Sequence, residues 1–389
     1  MMTENKRIRL TITGATGSVG SSVLDICARF PEIFEIYGLT AQSNEKKLIE
    51  LGRRFKAKVL CLTAPQTENW SREGFVCLSG PEGLSDLIED ENTEHAVFAS
   101  SGVTAIEALR LALKRGIDVS LANKESIVVA GPWVMPLVTR KDQLRPIDSE
   151  HSAVWQCIRG TQTRELSRIW LTASGGPFRN YSAAQMKEIT PEQALNHPVW
   201  KMGPKVTIDS ATLMNKGIEC IEAMQLFGLP AERVGALVHP TSHVHGLAEF
   251  IDGTVKLLLS RPDMRLPAAA AIAWPQRLPL VARGLSPLPP IEWELSFREI
   301  DEQRFPCFAI AKEAGRAGGA SPALLVGADE KAVRAFLEGR LSYTGIAEVI
   351  KETLEKYSGA APDSLSDALE LVREGGRLAE EVIARRKNN

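Results

Sequence analysis

Ile8-Arg9-Leu10-Thr11-Ile12-Thr13-Gly14-Ala15-Thr16-Gly17-Ser18-Val19-Gly20 is an apolar, β-branched run that breaks into three spaced glycines. The residues that follow, 18–29, carry helical periodicity. Glycines after a strand let the backbone approach a pyrophosphate, and the helix that opens there offers its first N–H groups to the same anion. Thr16 and Ser18 add hydroxyl donors. The spacing is GxxGxxG, a variant of the commoner GxGxxG. A tight βα turn without a ligand would share the glycines. Strand, glycines and helix together point to a dinucleotide.

Working outward, the first third alternates strand and helix patterns. Strands are expected at 8–13, 34–39, 58–63, 75–78, 95–99 and 118–122, and helices at 18–29, 45–55, 83–89 and 104–115. Such alternation with short loops is the mark of a Rossmann-like, doubly wound parallel sheet. The second strand ends in Thr40-Ala41-Gln42-Ser43-Asn44. NAD sites usually place a carboxylate about 20 residues beyond the loop, on the ribose 2′-hydroxyl. None stands here to repel a 2′-phosphate, and Lys46 and Lys47 follow. NADPH is the expected cofactor, with Ala41, Gln42, Ser43 and Asn44 at its adenosine end. Ser43 or Asn44 also suits a plain helix N-cap.

The pattern changes near Asp148. A strand at 168–172, a long helix from Asp209 to about Gly228, and strands at 237–238, 249–251 and 255–260 suggest an α+β domain. Asp252-Gly253 between the last two is a hairpin signal. Pro275, Pro279, Pro287, Pro289 and Pro290 mark a linker. From Phe308 onward the pattern is helical. The expected organisation is therefore a dinucleotide-binding domain over 1–148 and a catalytic and dimerisation domain over 149–274. A proline-rich linker over 275–306 and a small helical bundle over 307–389 follow.

With 46 Lys+Arg against 48 Asp+Glu in 389 residues, the net charge is −2. That gives no electrostatic footprint for nucleic acid or an anionic membrane. Any anion needs a local site. The cysteines, 27, 61, 77, 157, 220 and 307, lack CxxC spacing and suggest reduced thiols in a cytoplasm. No apolar run of about 18 residues is present, so no membrane span is expected. Residues 1–10 lack the apolar core of a signal peptide.

Asp148-Ser149-Glu150-His151 carries two carboxylates two residues apart, on one side of the chain if it is extended. Carboxylates together need a cation or a shared proton. Oxygen-only ligands favour Mg²⁺ or Mn²⁺ over zinc. Asp148 or Ser149 also suits a helix cap. On the helix expected after Asp209, Asn215, Lys216 and Glu219 share a face. Lys216 beside Asn215 suits a phosphate, and Glu219 a third metal ligand; a solvated Lys–Glu pair is the plainer alternative. Thr172-Ala173-Ser174-Gly175-Gly176 looks like an anion-binding turn, and 196–203 like a lid. His239, His243 and His245 lack the partners a zinc site needs.

Taken together, GATGSVG (14–20), ANKES (122–126), DSEHSA (148–153), TASGGPF (172–178), HPVWKMG (197–203), DSATLMNKGIE (209–219), HPTSHVHG (239–246) and PDMRLP (262–267) resemble the 1-deoxy-D-xylulose 5-phosphate reductoisomerase family over nearly the whole chain. The resemblance implies retro-aldol/aldol isomerisation and NADPH reduction of that sugar phosphate to 2-C-methyl-D-erythritol 4-phosphate, with Mg²⁺ or Mn²⁺, in non-mevalonate isoprenoid synthesis. It implies a homodimer. Carried onto this sequence, the metal ligands are Asp148, Glu150 and Glu219, and the phosphate contacts are Ser174, Ser210, Asn215 and Lys216. Lys124 and Ser149 meet substrate oxygens, and His197 lies over the substrate. Trp200 and Met202 belong to a closing loop. Thr16, Gly17, Ser18 and Val19 cradle the pyrophosphate, Asn123 and Glu125 stand near the nicotinamide, and Gly203 also borders the cofactor. Gln42-Ser43 departs from the Gly-Lys or Gly-Arg of many members, and His243 from the usual aliphatic residue. The competing enzyme reading is an NADPH-dependent semialdehyde dehydrogenase without skeletal rearrangement, a class that commonly needs a reactive cysteine.

Overall fold

The computed structural model describes residues 7–64, 70–196 and 203–387. Seven parallel strands form the first sheet: β1 Ile8–Thr13, β2 Phe34–Ala41, β3 Val59–Leu62, β4 Val76–Ser79, β5 His95–Phe98, β6 Asp118–Leu121 and β7 Leu144–Pro146. Their order is β4-β3-β2-β1-β5-β6-β7. The chain therefore winds one way from β1 to β4 and the other way from β5 to β7. The switch point lies between β1 and β5, where doubly wound sheets open a crevice for ligands.

The chain divides into two compact units. The first joins residues 1–126, 134–155 and 263–287. Its core packs Leu10, Ile12, Ile36, Leu39, Leu60 and Val97 of the strands against Val23 and Ile26 of the helix Ser18–Arg29. Ala268, Ala271 and Ile272 of the helix Arg265–Ile272 complete that side. Leu280 and Leu285, within the stretch expected as a linker, are buried in the same core. Proline here shapes a strap lying on the first unit rather than a free connection.

The second unit joins residues 127–133, 156–262 and 288–389. Its mixed sheet contains β8 Leu166–Ala173, β9 Val234–Val238, β10 Val244–Phe250, β11 Val255–Leu259 and β12 Arg298–Glu299, in the order β11-β10-β8-β9-β12. β8 and β9 are parallel, and β10 and β11 form the hairpin that Asp252-Gly253 signals. Gly253 takes φ +83°, which glycine alone adopts at little cost. Four helices, Pro306–Ala317, Ser321–Leu337, Tyr343–Lys356 and Leu365–Lys387, form the C-terminal bundle. The doubly wound α/β sheet, the α+β sheet and the helical end all agree with the expectations from sequence.

Two local expectations fail. The single helix from Asp209 is two, Pro204–Ala211 and Met214–Phe227, broken where Leu213 takes φ +58°. Asp209 thus lies inside the first helix instead of capping a long one. Asp148-Ser149-Glu150 is not extended either: the helix Ser149–Cys157 begins there, with the Ser152 amide donating to the Asp148 carbonyl. Glu150 lies in the first turn of that helix and Asp148 immediately before it, so the two-residue alternation of an extended chain does not apply.

Candidate active site

The glycine loop forms as its sequence requires. Gly14 leaves β1 at φ +66°, and a Cβ there would stand 2.7 Å from the Ala99 carbonyl oxygen and the Ser100 nitrogen, at the end of β5. A Cβ on Gly20 would stand 2.4 Å from the Gly14 carbonyl oxygen. Only hydrogen fits at either place, so the helix Ser18–Arg29 presses directly on the strand end. Gly17 is its N-cap, without a side-chain cap and without an acidic residue in the first turn. Gly17 and Ser18 are exposed, and Thr16 and Val19 partly so. An open, positively polarised helix end is a ready anion site.

Ala41 is buried at the end of β2, while Gln42, Ser43 and Asn44 are exposed. Asn44 caps the helix Glu45–Phe55 by accepting from the Lys47 amide at 3.2 Å. Asn123 is buried: its Nδ2 donates to the carbonyls of Ser100 at 2.7 Å and Gly102 at 2.9 Å, and its Oδ1 accepts from the Ser126 amide and hydroxyl. It therefore ties the loop after β5 to the start of the helix Lys124–Val134. Lys124 and Glu125 occupy that helix's first turn.

Lys124 Nζ lies 3.0 Å from Asp148 Oδ2, and His151 Nδ1 lies 3.3 Å from the same oxygen. A carboxylate oxygen of Glu150 lies within 4.8 Å of one of Asp148, and Ser149 Oγ donates to Glu150 Oε2. Two acidic side chains thus converge beside one lysine, all three mostly shielded from solvent.

In the second unit, β8 is followed by Ser174, Gly175 and Gly176, and the Gly176 amide donates to Ser174 Oγ at 3.2 Å. Ser210 sits near the end of the helix Pro204–Ala211, and Gly203 is its exposed N-cap. On the next helix Asn215 Nδ2 donates to Glu219 Oε1, and Lys216 Nζ pairs with Glu219 Oε2. Lys216 is 3% and Glu219 1% exposed, so this is a buried pair and the solvated-face alternative falls. Buried charge without function is rare unless paired, and such a pair adds little stability over apolar packing. His197, Trp200 and Met202 lie outside the described residues.

The histidines of 239–245 do not gather as metal ligands. His239 bonds the Ser296 carbonyl and the Thr241 hydroxyl, and His245 Nε2 bonds Ser260 Oγ.

Three family profiles match the chain: 1-deoxy-D-xylulose 5-phosphate reductoisomerase over residues 10–131, its C-terminal domain over 144–227, and a DXP reductoisomerase C-terminal domain over 259–377. The 1-deoxy-D-xylulose 5-phosphate reductoisomerase of Thermodesulfovibrio yellowstonii is 40% identical over 387 residues, covering 96% of this chain and 99% of that protein. The chain belongs to the 1-deoxy-D-xylulose 5-phosphate reductoisomerase family. The family member from Moorella thermoacetica is 42% identical, with 97% of this chain and 96% of that protein covered. Among solved structures of the family, the Zymomonas mobilis enzyme in complex with NADPH superposes with TM-score 0.88 at 35% identity, over 97% of this chain and 99% of that one. A complex with NADPH, fosmidomycin and magnesium superposes with TM-score 0.89 at 33% identity, over 98% and 99%.

The sequence missed two arrangements. One is the Lys124–Asp148–His151 triad, since neither partner is local to Lys124. The other is the pairing of Lys205, at the start of the helix Pro204–Ala211, with Asp209 and the distant Asp329. No signal in the residues around Asp329 marks it. No helix among the described residues is long and apolar enough to cross a membrane.

Proposed function

We propose that this chain converts 1-deoxy-D-xylulose 5-phosphate to 2-C-methyl-D-erythritol 4-phosphate with NADPH and a divalent cation. What carries the reading is the joint presence, in a family member matched over nearly its full length, of a dinucleotide loop and a carboxylate pair held beside Lys124. A plain dehydrogenase has no use for the pair. The donor set Asp148, Glu150 and Glu219 is all oxygen, which suits Mg²⁺ or Mn²⁺. When bound, such an ion supplies Lewis-acid stabilisation of negative charge on substrate oxygens. NADPH supplies the hydride.

The chain's own residues do the rest. Thr16, Gly17, Ser18 and Val19 hold the pyrophosphate at an uncapped helix end. Ala41, Gln42, Ser43 and Asn44 border the adenosine phosphate, and Asn123, Glu125 and Gly203 the nicotinamide side. Ser174, Ser210, Asn215 and Lys216 bind the substrate phosphate, so that the phosphate-bearing fragment of a carbon–carbon cleavage is held for recombination, a proximity effect. Lys124 and Ser149 bind substrate oxygens, and His197 covers the substrate.

The semialdehyde class commonly needs a reactive thiol. Burial pushes the thiols of Cys61 and Cys220 up to about 12 and Cys157 up to about 11, and raises Cys27 and Cys307 further. Cys77 is raised as well. None is poised as a thiolate nucleophile. The deciding assay follows NADPH absorbance with 1-deoxy-D-xylulose 5-phosphate, with and without Mg²⁺ or Mn²⁺. Metal-dependent oxidation with a branched polyol phosphate as product is expected. No oxidation in any condition refutes the proposal.

We also propose a homodimer in a reducing cytoplasm. Ile251 and Val255 at the hairpin are exposed, as are Ile291 (94%), Trp293 and Leu295. Large apolar side chains left exposed in this number suit burial against a second copy. All six cysteines are free, as such a compartment requires.

A further inference from the structure

Lys205 Nζ pairs with Asp209 Oδ2 on its own helix and lies 2.5 Å from Asp329 Oδ2 on the helix Ser321–Leu337. Asp329 is fully buried and Asp209 nearly so. Asp329 Oδ1 is buried too, with no hydrogen-bond partner among the described residues. One ammonium thus serves two buried carboxylates, and one oxygen goes unsatisfied. A contact kept for stability alone would be met as well by apolar side chains of similar volume. A buried unsatisfied oxygen is costly and calls for another reason.

The reason lies in what this helix borders. Asp209 directly precedes Ser210. A Cβ on Gly176 would stand 2.8 Å from the Ser210 carbonyl oxygen and 3.3 Å from Ala211 Cα. The turn that carries Ser174 therefore rests on the helix end with no slack. The Tyr343 hydroxyl, from the bundle helix Tyr343–Lys356, donates to the Ala211 carbonyl at 2.7 Å. Pro204–Ala211 is thus gripped at one end by Asp329 through Lys205 and at the other by Tyr343. A sub-ångström shift of this helix must move Ser210 and the Ser174 turn together.

We propose that Asp329 is a positioning residue for phosphate binding: through Lys205 it fixes the helix Pro204–Ala211 against the Ser174–Gly176 turn. This gives the C-terminal bundle a part in the reaction although Asp329 itself touches no reacting atom. It rests on the function proposed above for Ser174 and Ser210.

The test compares the full-length wild type with Asp329→Asn, which keeps the side chain's size, and with Lys205→Arg, which keeps the charge. Asp329→Glu is the conservative control. Three quantities are read: the KM values for sugar phosphate and NADPH, inorganic phosphate binding by calorimetry, and the thermal midpoint. Asp329→Asn is expected to raise the sugar-phosphate KM and weaken phosphate binding by about tenfold, with the NADPH KM unchanged. Asp329→Glu is expected to recover part of the loss. A lowered thermal midpoint with unchanged phosphate affinity overturns the proposal and leaves a structural contact only. If Asp329→Asn does not fold, Lys205→Arg decides on the same readouts. A wild type that binds phosphate but does not turn over the sugar phosphate refutes the function above instead, and the calorimetric comparison still decides the role of Asp329.

Discussion

His95 is expected to make the first unit lose stability as pH falls, and His95→Gln to abolish that loss. His95, on β5, is 2% exposed, and its Nε2 lies 2.8 Å from Ser120 Oγ on β6. Arg145 Nη2, on β7, approaches the same nitrogen at 3.5 Å and pairs with Asp118 Oδ2 at 2.6 Å. Burial first, and the Arg145 guanidinium second, push the imidazole down to about 3 from an ordinary 6.5, with Asp118 opposing. The folded protein thus refuses a proton that the unfolded chain accepts. Between those two values the unfolded state binds more protons, so stability falls as pH falls, by up to about 1.4 kcal/mol per pH unit. From about pH 7 to about pH 4.5 the loss amounts to about 2.5 kcal/mol. Asp118 does not confuse the window. Burial raises it, but Arg145 and Arg140 together hold its carboxyl below 3.8, so its contribution is lost only in stronger acid. Gln keeps an amide where Nε2 stood and cannot titrate. The assay is hydrogen exchange of the β5 and β6 amides across this pH range, after correction for the intrinsic rate, because it reads the first unit separately. A wild type and a variant with parallel pH dependence would refute the reasoning.

Gly14→Ala places a Cβ 2.7 Å from backbone atoms at φ +66°, and the conformational cost alone is about 1–2 kcal/mol. NADPH affinity should fall at least about tenfold in a fluorescence titration; an unchanged Kd would show that the loop does not bind the cofactor. Glu219→Gln should raise the Mg²⁺ needed for half-maximal turnover by about 10- to 100-fold, with far-UV circular dichroism retained. Wild-type turnover at low metal would remove Glu219 from the ligand set. Lys216→Ala should raise the sugar-phosphate KM with NADPH affinity unchanged, and should cost about 3 kcal/mol of stability because Glu219 stays buried without its cation. A normal KM in urea-free buffer would exclude the phosphate role.

The fold was legible where its determinants are local. Alternating strands and helices, the glycine spacing and Asp252-Gly253 each act over a few residues, and each formed where expected. Asn215, Lys216 and Glu219 were also readable, because helical periodicity alone puts them on one face. The break before them was not. Leucine has no preference for positive φ, so nothing around Leu213 announces it; packing imposes the conformation. The partners of Lys124, Lys205 and His95 were hidden for a related reason. Asp148, Asp329 and Ser120 lie 24, 124 and 25 positions away, distances that only topology can close.

That break at Leu213 alters what Lys216 can do. In one unbroken helix from Asp209, the backbone amides of Met214, Asn215 and Lys216 would be spent on carbonyls one turn earlier, whereas here the Met214 amide donates to Thr212 Oγ1 at 3.3 Å. Interrupted, the chain starts a second helix at Met214. Its first turn presents the positive end of a fresh macrodipole alongside the ammonium of Lys216. One residue in an unfavoured conformation thus turns a stretch of helix interior into an electrostatic terminus, and the cation there is reinforced by the backbone that carries it.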